Sequence, residues 1–122
     1  MPLLTVQRWL VRILSSMIIE DKAGIKDQVI EKLKTVYDPE IPVDVYELGL
    51  IYELHTFPEG IVKVVMTLTA PACPAADQIL QDVQAAVASV DDVKEVRVEI
   101  SFDPPWDREM MSEDAKLELG FF

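Results

Sequence analysis

Two runs of strict alternation flank a run of helical periodicity, and that order limits the fold more than any other feature of the chain. From Ile61 to Thr69, Val62, Val64, Met66 and Leu68 fall on one face, the mark of a half-buried strand. Lys94 to Phe102 repeats the pattern, with Val96, Val98, Ile100 and Phe102 set against Arg97, Glu99 and Ser101. Between these runs Ile79, Leu80, Val83, Ala86, Val87 and Val90 recur at the spacing of a helix with one buried stripe. A strand, a helix and a strand in that order form a crossover, so the second strand runs in the direction of the first.

The flanking segments extend this unit. Leu50 to Thr56 reads as a further strand, and Phe57-Pro58-Glu59-Gly60 is a tight turn that makes it antiparallel to the strand after it. Ile25, Val29, Ile30, Leu33 and Val36 mark an amphipathic helix with Glu31, Lys32 and Lys34 on its other face. It is expected to end at Tyr37, because Pro39 disfavours helical geometry at Asp38. Asp103-Pro104-Pro105-Trp106 stops the last strand, and a short helix over Arg108 to Leu119 precedes Gly120. The expected fold is an α/β (α+β) two-layer sandwich of order α-β-β-α-β-α, with a three-stranded sheet and helices on one face. Whether the last strand lies beside the first or the second is open.

A chain of 122 residues holds one domain. Its net charge of −11 repels phosphate backbones and anionic lipid, so nucleic acid and membrane are poor partners. No apolar stretch reaches the roughly 18 residues of a membrane span. Met1 to Ile19 differs from the rest, with Arg8 and Arg12 but no acid, leaving about −13 on the remainder. The two arginines interrupt its apolar run, which argues against a signal peptide. Leu3, Leu4, Trp9, Leu10, Ile13, Leu14 and Met17 would line one face of a helix. Residues 1–20 are therefore expected to be an extension, either an amphipathic helix or a misassigned start, and residues 21–122 the domain proper.

One cysteine is present. It excludes an internal disulfide and any tetrathiolate site built by this chain alone, and it fits a reducing compartment. Cys73 falls where a strand gives way to a helix. With Pro74 at the first helical position, Cys73 becomes the N-cap, and the free amides and dipole of the first turn favour the thiolate. Asp77, one turn on, works against this. A buried, inert thiol is the structural alternative. Asp38, Glu40, Asp44 and Asp103 lie in loops or beside prolines, where carboxylates by default cap turns through the backbone. Trp106 is expected to pack on the sheet, and His55, the single histidine, to sit on a strand surface. No phosphate loop, serine elbow, zinc pattern or dinucleotide fingerprint appears, which gives an enzyme thin support.

Several motifs occur together and in order. Asp38-Pro39-Glu40-Ile41-Pro42, Glu47-Leu48-Gly49-Leu50-Ile51-Tyr52, Met66-Thr67-Leu68-Thr69-Ala70-Pro71-Ala72-Cys73-Pro74, Phe102-Asp103-Pro104-Pro105-Trp106 and Met111 to Gly120 resemble the SufT-like metal–sulfur cluster biosynthesis family. The match runs from about Lys26 to Phe122. The resemblance implies an iron–sulfur cluster assembly domain-like fold and a cytoplasmic, non-catalytic carrier or adaptor that helps mature iron–sulfur proteins. It implies Cys73 as the functional cysteine and ligand of a transient iron–sulfur cluster, with Asp38, Glu40, Thr67 and Asp103 as supporting positions. The implied partners are iron–sulfur assembly proteins and client apo-proteins. A homodimer would supply two cysteines. Ala72 departs from the glycine that often precedes the family's cysteine. A related branch, PaaD-like, supports a phenylacetate-pathway oxygenase but tends to carry extra C-terminal cysteines that are absent here. A non-catalytic interaction module, docking through its acidic face and proline loops, is the other alternative.

Overall fold

In the computed structural model, which describes residues 17–39, 41–69 and 76–120, alternation and helical periodicity become one mixed sheet with helices on a single face. The elements are β1 (Ile18–Asp21), α1 (Lys26–Leu33), β2 (Ile51–Thr56), β3 (Ile61–Met66), α2 (Ala76–Ala88), β4 (Glu95–Ile100), a 3-10 turn (Arg108–Met110) and α3 (Glu113–Glu118). The sheet order is β1-β2-β3-β4, with β1 parallel to β2, β2 antiparallel to β3 and β3 parallel to β4. The last strand thus lies beside the second strand of the hairpin.

The sheet has four strands rather than the expected three. The added strand, Ile18–Asp21, begins inside the expected extension and ends just past it. It carries no alternation that would betray it: Ile18, Ile19 and Glu20 are all exposed, because the strand lies at the sheet's edge. Its anchor is polar. The Asp21 carboxylate accepts from Thr56 Oγ1 at 2.6 Å and from the Ile25 amide at 3.0 Å, and Thr56 Oγ1 accepts from the Ala23 amide at 3.1 Å. A fully buried hydroxyl on β2 is thereby satisfied, and the same carboxylate holds the Ile25 amide just ahead of α1.

The core follows the predicted parity. Leu54, Val62, Val64 and Met66 from the sheet meet Val29 and Leu33 of α1 and Ile79, Val83 and Val87 of α2. A register shift between Ile51 and Glu53 turns Ile51 to the core as well. The Phe57–Gly60 turn closes with the Phe57 amide bonded to Ile61 O at 2.9 Å, and Gly60 takes φ +89° there. On the sheet's other face, His55 is held by Glu53 (2.8 Å) and Glu20 (3.3 Å), as befits a strand-surface residue.

Both outer helices are shorter than the sequence suggests. α1 stops at Leu33, capped by Lys34. Val36 remains buried, but it turns extended and accepts the Val45 amide at 2.8 Å. The C-terminal helix divides at Met111 and Ser112, because the Ser112 amide is drawn to Glu47 O (2.8 Å) while its hydroxyl caps α3. Among the described residues, no helix is long and apolar enough to cross a membrane. Of the proposed stripe from Leu3 to Met17, only Met17 is among the described residues, where it packs half-buried against the core.

Candidate functional site

The segment between α1 and β2 folds back on itself. Tyr37 and Asp44 form an antiparallel bridge, and the Asp38 amide donates to Val43 O at 3.3 Å. At the tip, Asp38 is buried and its Oδ1 accepts from the Ile41 amide at 3.2 Å. This Asx-type turn suits the two prolines, which supply fixed backbone angles and demand no amide partner. Asp44 is buried too, and its Oδ2 accepts from the Glu47 amide at 3.0 Å. Burial pushes the Asp44 carboxyl up from its ordinary value. The Glu47 amide works against that rise and the Glu47 charge adds to it. Both aspartates therefore cap turns.

Thr67 follows β3 directly. Its amide donates to Leu50 O at 2.8 Å, and its hydroxyl is fully buried with no hydrogen-bond partner among the described residues. Beside it lies Tyr52. Burial pushes the Tyr52 phenol up, and the neighbouring Thr67 hydroxyl pulls it partly back without making a hydrogen bond of good geometry. The Tyr52 hydroxyl donates to Pro104 O at 2.7 Å and touches Met110 Sδ at 3.5 Å.

Tyr52 is thus one of three rivets that hold the 104–112 segment over the entrance to β2. The others are Trp106 Nε1 to Leu48 O at 2.7 Å and the Ser112 amide to Glu47 O. Gly49 makes the close approach possible: at φ +78°, a Cβ there would lie 2.2 Å from Met110 O. Asp103 opens this segment with a cis bond to Pro104. Its side chain is exposed, and its amide and carbonyl both meet Ser101 Oγ, at 3.3 and 3.2 Å.

Of the expected site residues, Thr67 and the Asp103 segment are drawn together through Tyr52, while Asp38 is placed by its own turn. Cys73 and Glu40 lie outside the described residues. Sequence reasoning passed over Tyr52. The available signal was chemical, because a phenol at the start of a strand needs a partner wherever it is buried. Among the described residues, no group of three or more His, Cys, Asp or Glu side chains is arranged to hold a metal ion.

A family pattern described as iron-sulfur cluster assembly protein matches residues 26–100, more than half of the chain. The chain belongs to the iron-sulfur cluster assembly protein family. An Fe-S protein maturation auxiliary factor of Porphyromonas gingivalis is 55% identical over 96 residues, which cover 79% of this chain and 91% of that one. An iron-sulfur cluster carrier protein of Deinococcus radiodurans is 37% identical over 75 residues, 62% of this chain but 21% of that longer protein. The fold of this assembly protein is also that of a Domain of Unknown Function, DUF59, from Bacillus anthracis. The TM-score is 0.78 at 34% identity, covering 83% of this chain and 96% of that one. The family pattern ends at residue 100, yet the strap over 104–112 is bonded to residues inside it.

Proposed function

We propose that this protein is an accessory factor in the maturation of iron–sulfur proteins, acting through Cys73. The observation that carries the reading is the 55% identity, over 91% of its length, to a relative named Fe-S protein maturation auxiliary factor. Cys73 is the chain's one thiol, and a thiolate is the side chain that iron–sulfur clusters take as ligand. The cluster is cargo here. One thiolate per chain leaves its other iron positions to a client, an assembly protein or a small thiol, so transfer is favoured over storage. The likeness to a carrier supports a transient load. Glu40, Asp38, Thr67 and Asp103 are the supporting positions in this reading, and a reducing cytoplasm keeps the thiol available.

The test is Cys73→Ser in cells. Activity of client iron–sulfur enzymes falls while the purified variant keeps the wild-type melting curve. Unchanged client activity would overturn the proposal. In vitro, anaerobic reconstitution of the wild type gives sulfur-to-iron charge-transfer absorption that the variant lacks.

A further inference from the structure

On one side the sheet ends at β4, whose outer edge pairs with no described strand. Natural edges are blunted by proline, bulges, short length or inward-pointing charge. β4 is six residues long, Glu95-Val96-Arg97-Val98-Glu99-Ile100, and pairs with β3 without a register shift. It has no proline, no bulge and no inward-pointing charge, and its three charged side chains all lie on one face. The Glu95 amide donates to Gly60 O and the Ser101 amide to Met66 O, so the odd-numbered residues turn their backbone groups toward β3. Those of Val96, Val98 and Ile100 therefore point outward, ready for another strand. The side chains of these three are half-buried on the helix-covered face, while Glu95, Arg97 and Glu99 are exposed on the other.

The geometry points to an antiparallel pairing of β4 with β4 of a second copy of this chain, about a two-fold axis through Val98. In that register Arg97, which pairs with its own Glu95, faces the partner's Glu99, and Glu99, which pairs with its own Lys63 at 3.1 Å, faces the partner's Arg97, so the intrachain pairs would extend into one network across the two copies. Val96 meets the partner's Ile100 on the apolar side, and Phe102, 43% exposed, covers the partner's Lys94. The outward groups of Val96, Val98 and Ile100 all find partners. Neighbouring registers do worse on charge or on overlap. A two-fold through Arg97 sets arginine against arginine and Glu95 against the partner's Glu99. One through Val96 keeps two Glu95–Arg97 pairs, but it shortens the overlap, leaving Glu99 and Ile100 with no strand residue opposite and putting Lys94 against the partner's Val98. Opposite charges directly across an antiparallel pair stabilise it and like charges destabilise it. Of the two registers that pair opposite charges, the one through Val98 has the longer overlap, so charge and length together favour a second copy in that register. β1, the other edge, has four residues and a carboxylate, Asp21, engaged with its own chain.

The paired strands run in opposite directions, so the residue 67–69 ends of the two copies lie at opposite ends of the joined sheet. The inference rests on β4 alone and stands whatever Cys73 does. Each copy carries a net charge of −11, so moderate salt, by screening that repulsion, favours association.

Sedimentation velocity on the full chain tests this, from about 10 µM to about 1 mM, the range of a small interface. Wild type shifts to dimer as concentration rises. Arg97→Glu and Glu99→Arg each raise the dissociation constant about tenfold or more, because each turns two attractive pairs repulsive. An equimolar mixture of the two variants, and the double variant, both regain dimer, because opposite charges then face again. A wild type that stays monomeric throughout, or a mixture that behaves as the sum of its parts, overturns the inference.

Discussion

Thr56→Val removes one hydroxyl from the buried end of β2 and keeps the shape of the side chain. Two hydrogen bonds are lost, from Thr56 Oγ1 to the Asp21 carboxylate at 2.6 Å and from the Ala23 amide at 3.1 Å. A hydrogen bond to a charged group contributes about 1.5–3 kcal/mol and a neutral one about 1 kcal/mol. Asp21 is partly exposed, so water recovers part of the first, and its value belongs at the low end of that range. The added methyl returns about 0.8 kcal/mol of burial. The net cost is about 1.5 kcal/mol, a fall in melting temperature of about 6 °C for a chain of this size.

The pH dependence provides the discriminating control. Burial alone would raise the Asp21 carboxyl. The Thr56 hydroxyl and the amides of Ile25, Lys26 and Gly24 outweigh it and hold the group below its ordinary 3.8. A carboxyl depressed in the folded state stabilises fully above its unfolded value, and that stability is lost as pH falls through the folded one. The gap between wild type and Thr56→Val, measured by urea unfolding, is therefore widest near about pH 7 and narrows as pH falls below the carboxyl's ordinary 3.8. Asp44, whose carboxyl is raised, gains stability on acidification, but equally in both proteins, so it cancels. A gap below about 0.5 kcal/mol at neutral pH, or one that does not change with acid, refutes the reasoning.

Other perturbations report on separate parts of the fold. Gly49→Ala drives a Cβ into Met110 O at a positive φ, and about 3 kcal/mol of stability is lost in a denaturant titration, with the 104–112 strap cut first in limited proteolysis. Tyr52→Phe keeps the ring and loses the bond to Pro104 O, costing about 1 kcal/mol. Its strap is also cleaved faster than that of the wild type. Leu33→Ala opens a cavity at a fully buried position of the core and costs about 3 kcal/mol, read as a lower urea midpoint with an unchanged slope.

Elements whose burial is periodic were legible in the sequence. Val62, Val64 and Met66 are fully buried, and Ile79, Val83 and Val87 face them from α2, as their spacing required. β1 was not legible, because a parallel edge strand anchored by a carboxylate and a threonine leaves no apolar rhythm to detect. The end of α1 was misjudged for a related reason. Val36 continues the helical spacing and is buried, but it lies beyond the helix, where its carbonyl accepts the Val45 amide. Spacing records that a residue is inside, and a loop can deliver it there as well as a helix can.

The same distinction applies to the candidate site. Asp38 and Asp44 were suspected as turn caps, and their side chains do accept Ile41 and Glu47 amides. What motifs could not convey is that the Pro104–Ser112 strap, beyond the family pattern's last residue, closes over Leu48, Gly49 and Tyr52. Those residues lead into the strand whose first carbonyl neighbour, Leu50 O, holds the Thr67 amide. The strap and the threonine thus brace the same short stretch from two sides. A chain cut after residue 100 would keep every strand and lose that brace. Trp106 would no longer shield Leu48, and the buried Tyr52 phenol would lose its acceptor at the end of the sheet from which the chain departs toward Cys73.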